Sequence, residues 1–183
     1  DADMELMVQR NITAVHNPVS NLKLASGAAR VPRLLERGVN VALGTDGVAS
    51  NNSHDLFEEI KLAALLHKGI GLDPAAVTAR QALEMATING ARALRRNTGV
   101  IAPGKTADLI LVDLAAPNLF PCHDVEADLV YSARGSNVVM NMARGRVIYE
   151  KGEFFTLDLE KIRAEVEGYA LPRIFGSVRG GGA

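Results

Sequence analysis

Two short, almost wholly apolar runs constrain this chain more than any other feature. They are Ile12-Thr13-Ala14-Val15 and Val39-Asn40-Val41-Ala42-Leu43, and each runs out into a polar loop, His16-Asn17-Pro18 after the first and Gly44-Thr45-Asp46-Gly47 after the second. Runs of this kind bounded by Pro and Gly read as strands. Strands with so little polar alternation suit a parallel sheet covered on both faces. Between them Val31, Leu34 and Leu35 fall at i, i+3 and i+4, one face of a helix from Arg30 to Arg37 that Gly38 ends. Residues 11–46 therefore predict one strand–helix–strand unit. Both polar loops lie at the C-terminal ends of their strands, the end where parallel α/β folds build sites.

The rest of the chain is read outward from this unit. Residues 2–10 carry Met4, Leu6, Met7 and Val8 among charges and predict the end of a helix. Pro18 disfavours helix at Asn17, so the first strand is expected to enter a loop holding Ser20, Asn21, Ser26 and Gly27. A polar loop from Ala49 to Ser53 leads to a helix from Asp55 to Lys68, with Phe57, Ile60, Ala64 and Leu65 as its apolar side and Gly69 and Gly71 as its stop. Asp73-Pro74 predicts the next helix start. Val77, Leu83, Met85 and Ala86 lie in that helix, and Asn89-Gly90 is expected to break it. The character changes near Thr98. Short strands are expected at Asp108–Asp113, Leu129–Tyr131, Asn137–Met142 and Arg146–Tyr149, then a helix from Leu159 to Tyr169 and a flexible tail, Gly180–Ala183. The expected division is an α/β part over 1–97, a small β part over 98–157, and a closing helix and tail over 158–183.

Composition excludes several classes. With 48% hydrophobic and 22% charged residues in 183, the chain has enough apolar material for a core and is not a disordered segment. A net charge of -1 gives no overall attraction to nucleic acid. The single cysteine, Cys122, excludes an internal disulfide and a Cys-only zinc site, and fits a reducing, cytoplasmic setting. No apolar run reaches the roughly 20 residues needed to span a bilayer. The acidic start, Asp1-Ala2-Asp3-Met4-Glu5, has neither a signal-peptide pattern nor an initiator methionine, so the chain is expected to begin inside a longer protein.

Asp46 is the foremost chemical candidate. A carboxylate held at the mouth of a parallel sheet can ligate a metal and take a proton from its water. It can equally cap the following turn. His16 occupies the comparable place on the first strand, as a ligand, a substrate contact or a structural histidine. Ser50, Asn51 and Asn52 offer polar groups for a base or sugar, or cap a helix. His54 and His67 read as surface or partner-facing residues, Cys122 as a small buried hydrophobe, and His123 has no visible companion ligand. There is no His-x-His pair, no His-Glu-x-x-His and no phosphate-cradling glycine loop after a strand. Asp46 with one histidine nearby cannot complete a zinc site, which needs at least three protein ligands.

Four segments, taken together, resemble one family. They are His16-Asn17-Pro18-Val19-Ser20-Asn21-Leu22-Lys23-Leu24-Ala25-Ser26-Gly27, the stretch Ala42-Leu43-Gly44-Thr45-Asp46-Gly47-Val48-Ala49-Ser50-Asn51-Asn52, the stretch Phe57-Glu58-Glu59-Ile60-Lys61-Leu62-Ala63-Ala64-Leu65-Leu66-His67-Lys68, and Gly99–Leu109. In this order the first three resemble the C-terminal part of the 5-methylthioadenosine/S-adenosylhomocysteine deaminases of the amidohydrolase superfamily, and Gly99–Leu109 resembles the superfamily's return to its small β-sandwich domain. The resemblance implies an α/β chain: strands seven and eight, with their helices, of a (β/α)8 metallo-dependent hydrolase barrel, followed by part of a small β-sandwich. It implies that Asp46 is the aspartate after strand eight that binds one catalytic divalent metal, zinc foremost, and moves the proton. It implies that Ser50, His16 and Asn21 contact or border the nucleoside. The implied reaction is hydrolytic deamination of an adenosine-type nucleoside, through metal-activated water, to the inosine analogue and ammonia. The family's remaining metal ligands would precede Asp1.

Two strands cannot close an eight-stranded barrel, so apolar faces are expected to lie open. The partner expected to cover them is the preceding part of the same enzyme, with self-association into a homo-oligomer as the other way. Nucleic acid and membrane are not expected partners. The isolated chain is expected to be inactive. Two other readings stand beside this one: another hydrolase of the superfamily, guanine- or triazine-type, and a non-catalytic interaction module.

Overall fold

The computed structural model describes residues 1–176, and the tail Gly180–Ala183 lies outside the described residues. The chain opens with helix α1 (Ala2–Gln9) and strand β1 (Ala14–His16), then helices α2 (Pro18–Lys23) and α3 (Val31–Glu36) and strand β2 (Val41–Leu43). The strands pair in parallel, Ala14 with Val41, Val15 with Ala42 and His16 with Leu43. The strand–helix–strand unit is therefore present, with a difference after β1. The segment from Pro18 is helical, not a loop. Proline's missing N–H costs nothing at a first helical position, and its restriction falls only on Asn17, which stays outside the helix.

A four-residue turn of helix, α4 (Val48–Asn51), replaces the polar loop after β2, and Asn52 ends it in the left-handed region. The long helix α5 (Leu56–Gly71) follows. Asp55 caps it: Oδ1 accepts from the Phe57 amide at 3.0 Å while Oδ2 accepts from the amide of Gly135 at 3.0 Å. Gly69 and Gly71 do not stop α5, which ends where Leu72 turns left-handed at φ 50°. Glycine weakens a helix by only about 1 kcal/mol relative to alanine, and both glycines are carried in its exposed last turn. Asp73 closes a local turn on the Ala75 amide at 2.8 Å and starts no helix. Helix α6 (Ala79–Ala86) starts instead at Thr78, through a reciprocal cap in which Thr78 Oγ1 accepts from Gln81 N and Gln81 Oε1 from Thr78 N. The break before helix α7 (Ile88–Ala93) is at Thr87, so Asn89 and Gly90 lie inside it.

Strand β3 (Leu109–Val112) begins the second region. Leu129-Val130-Tyr131 belongs to helix α8 (Val125–Tyr131), not to a strand. Asp124 caps that helix on the Ala127 amide, and a three-residue apolar run is too short for periodicity to decide. Strands β4 (Val138–Ala143), β5 (Arg146–Glu150) and β6 (Glu153–Phe154) complete an antiparallel sheet in the order β3-β4-β5-β6. Its two hairpins turn on Arg144-Gly145 and Lys151-Gly152. All four residues have positive φ, as a two-residue turn matched to strand twist requires. Helix α9 (Leu159–Glu165), a π-helical turn over Val166–Ala170 and helix α10 (Leu171–Phe175) close the described chain, almost wholly exposed.

The core lies on one side of the β1–β2 pair. Val31, Val41, Ile60, Ala63, Ala64, Val77, Ala82, Met85 and Val130 pack there, joining the strands to α3, α5, α6 and α8. Val15 points to the opposite face and is 56% exposed. No helix among the described residues is long and apolar enough to cross a membrane.

Candidate functional site

The two strand ends lie side by side. The Gly44 amide donates to the His16 carbonyl at 3.1 Å. Gly44 is required here by proximity: a Cβ on it would stand 2.5 Å from Asn17 Oδ1 and 3.1 Å from Val15 Cγ1. Past it the chain turns sharply, with Asp46 left-handed at φ 59°, a conformation that costs a non-glycine residue energy and recurs at functional positions.

Asp46 is exposed and fixed by donors from both loops. Its Oδ2 accepts from Ser20 Oγ at 2.7 Å, and its Oδ1 from the Gly47 amide at 2.7 Å. Ser20 is buried, on α2 after β1. The Ser20 hydroxyl, then the Gly47 amide and the Ser50 hydroxyl, hold the Asp46 carboxyl below the usual carboxylate range. Ser50 also donates to the Gly47 carbonyl at 2.9 Å. Asn21 is half-buried beside Ser20, and its carbonyl accepts from the Ser26 amide. His54, exposed as expected, stands 3.2 Å from Thr45 Oγ1 through Nδ1. Lys23, which the sequence did not single out, reaches across from α2 to the Ala49 carbonyl at 2.9 Å and to Asn52 Oδ1.

His16 is not open to a ligand in this chain. It is 2% exposed, because alternation along β1 turns its ring toward α5, away from the face that Val15 shares. There its Nε2 lies 3.4 Å from His67 Nε2, with the ring centroids 5.3 Å apart. His67, expected at the surface, is likewise buried, one face of α5 carrying it into the core. Burial, and then the neighbouring His67, push His16 down to about 4, and burial lowers His67 as well. Cys122 is half-buried, not a core hydrophobe, and the Asp128 carboxylate raises its thiol. His123 beside it is exposed.

The residue that sequence reading passed over is Glu59, on α5. It is 1% exposed, and burial raises its carboxyl above the ordinary value. Its Oε2 accepts from the Val19 amide at 3.2 Å and its Oε1 from Asn51 Nδ2 at 2.5 Å. The same Asn51 amide donates to the Thr45 carbonyl at 2.6 Å. A signal was available: Glu59 stands four residues before Ala63 and eight before His67, on the helix face that is otherwise apolar.

For a metal, the donor set is partial. Both Asp46 oxygens accept hydrogen bonds while the side chain stays exposed, which fits one carboxylate ligand. Among the described residues no three His, Cys, Asp or Glu side chains converge, so three or four ligands are not supplied together.

A model of the amidohydrolase family matches residues 1–148. The 5'-deoxyadenosine deaminase of Methanosarcina acetivorans is 53% identical over 165 residues, 90% of this chain and 38% of that protein. The 5-methylthioadenosine/S-adenosylhomocysteine deaminase of Dictyoglomus thermophilum is 50% identical over 175 residues, 95% of this chain and 41% of that one. Among solved structures, an adenosine deaminase from Xanthomonas campestris with bound zinc superposes with a TM-score of 0.88 at 38% identity, covering 92% of this chain and 39% of that one. The chain thus spans about two fifths of the length of the relatives it matches.

Proposed function

The chain belongs to the amidohydrolase family, and from that premise we propose that it is the C-terminal portion of a metal-dependent aminohydrolase acting on adenosine-type nucleosides. 5'-Methylthioadenosine, S-adenosylhomocysteine and 5'-deoxyadenosine are the candidate substrates, converted to the inosine analogue and ammonia. The observation that carries this reading is Asp46, outward at the C-terminal end of β2 and held by Ser20 and Gly47. Relatives named as deaminases of such nucleosides support the substrate class.

In this reading Asp46 supplies one ligand to a divalent ion, zinc first. The preceding part of the enzyme supplies the others. When bound, such an ion acts as a Lewis acid and lowers the pKa of water. Asp46 is ionised at neutral pH because three hydrogen bonds stabilise its charged form, so it is ready to ligate without first losing a proton. Its carboxylate would also take up and return a proton as water adds and ammonia leaves. Ser50, in the short helix after Asp46, and Asn21, beside Ser20, border the substrate. His16 is left out of the pocket because its ring is buried against His67. The smaller sheet and the closing helix are read as separate parts from about residue 98 and residue 158. A cytoplasmic setting accords with these small-molecule substrates.

Two experiments test this. The full-length enzyme, given 5'-methylthioadenosine, S-adenosylhomocysteine, 5'-deoxyadenosine, guanine and a chlorotriazine, is expected to release ammonia from the nucleosides. Turnover of guanine or the triazine with inert nucleosides would sink the assignment. The 183-residue chain purified alone is expected to show no deaminase activity, since it supplies one metal ligand where at least three are needed. Any turnover that survives removal of contaminating enzyme would refute that.

A further inference from the structure

Glu59 is the one buried carboxylate among the described residues, and there no lysine or arginine pairs with it. An uncompensated buried acid is costly, and an apolar side chain of like volume would fill the space without that cost. What Glu59 provides is two acceptors aimed in different directions. One takes the Val19 amide, among the first N–H groups of α2, which have no partner inside the helix. The other takes Asn51 Nδ2, whose second hydrogen goes to the Thr45 carbonyl. The contacts close a ring. From Glu59 it runs through Val19 to Ser20, whose hydroxyl holds Asp46, and through Asn51 to Thr45, the residue before Asp46. Asp46 is thus held through its side chain from α2 and through the carbonyl of the preceding Thr45 from α4, and both grips meet at Glu59.

We propose that Glu59 is a positioning residue that holds Asp46 in its ligand orientation by closing this ring across the two loops, a role that rests on the metal-ligand reading of Asp46. Glu59→Gln keeps the volume but presents an N–H where Asn51 or Val19 also presents one, so it opens the ring on one side. In the metal-free full-length protein, amide exchange over residues 18–23 and 45–51 is expected to quicken. The zinc dissociation constant is expected to weaken by about tenfold to a hundredfold, the range for groups that orient a ligand. In the loaded enzyme kcat falls and KM stays close to the parent value. Glu58→Gln, at an exposed neighbour, is expected to change none of these. Unchanged exchange over 45–51 overturns the proposal. So does quickened exchange with unchanged zinc affinity, which would make Glu59 structural only. If Glu59→Gln does not fold, Asn51→Ala cuts the ring at its amide and is read by the same two measurements. A parent protein that takes up no zinc removes the metal reading of Asp46 by itself, while exchange over 45–51 still decides whether Glu59 secures that loop.

Discussion

Asp46→Ala in the full-length enzyme is expected to abolish stoichiometric zinc uptake and to cut deaminase turnover by at least about a thousandfold, with the protein still folded. The side chain is exposed and contributes to no core contact, so removing it leaves the helix layer intact. Its backbone is strained at φ 59°, and alanine tolerates that region less well than aspartate, so a small fall in melting temperature accompanies the loss. Ser20→Ala is expected to act in the same direction and more weakly, about tenfold, because the Gly47 amide still holds the other oxygen. Metal analysis by emission spectroscopy and an ammonia assay read both. Full zinc content with full activity in Asp46→Ala would remove the carboxylate from the chemistry.

The second large effect is on stability in acid. His16 and His67 are buried together, and the folded protein resists protonating them. Above the ordinary histidine pKa of 6.5 both the folded and the unfolded chain are neutral there, and the pair has no effect on pH dependence. As pH falls through 6.5 the unfolded chain binds the proton first, and the folded chain follows only near 4 at His16. Stability is therefore lost from pH 6.5 down to about 4, by roughly 3 kcal/mol for His16 alone. The raised Glu59 carboxyl has the opposite sign: the folded state binds its proton first, and stability is gained as that group protonates. The Glu59 gain offsets part of the histidine loss, so the melting temperature falls on acidification by less than the histidine pair alone would give. His16→Leu, which keeps an apolar filling and removes the unpartnered Nδ1, is expected to flatten that limb, while His123→Asn at an exposed loop leaves it unchanged. An acid limb equally steep in His16→Leu would show that other groups set it.

The legible parts of this molecule were those written in local chemistry. β1 and β2 were readable because apolar runs ended at Pro18 and Gly44, and the hairpin strands because glycine stood at each turn. The position of Asp46 at a strand end followed from the same punctuation. What escaped depends on distant partners. Pro18 is compatible with a loop and with a first helical turn, and the Glu59–Val19 bond that secures the latter spans forty residues. Glu58 and Glu59 look alike in sequence, yet one faces water and the other the two loops. His67 sits near a helix end like a surface cation, and only the packing of α5 against the end of β1 brings it to His16. Leu129 to Tyr131 carries too few residues to declare a period, and the cap from Asp124 decides for helix.

The cap on α5 has a consequence for how this protein can change over time. One carboxylate, Asp55, both starts the helix that carries Glu59 and fastens the backbone at Gly135, where a Cβ would come within 3.1 Å of it. With Val130 anchored in the core a few residues earlier, the sheet takes its bearing from that helix and not from the length of chain leading to it. A single inserted residue between Ser53 and Asp55 would therefore unseat the cap and the Gly135 tie together.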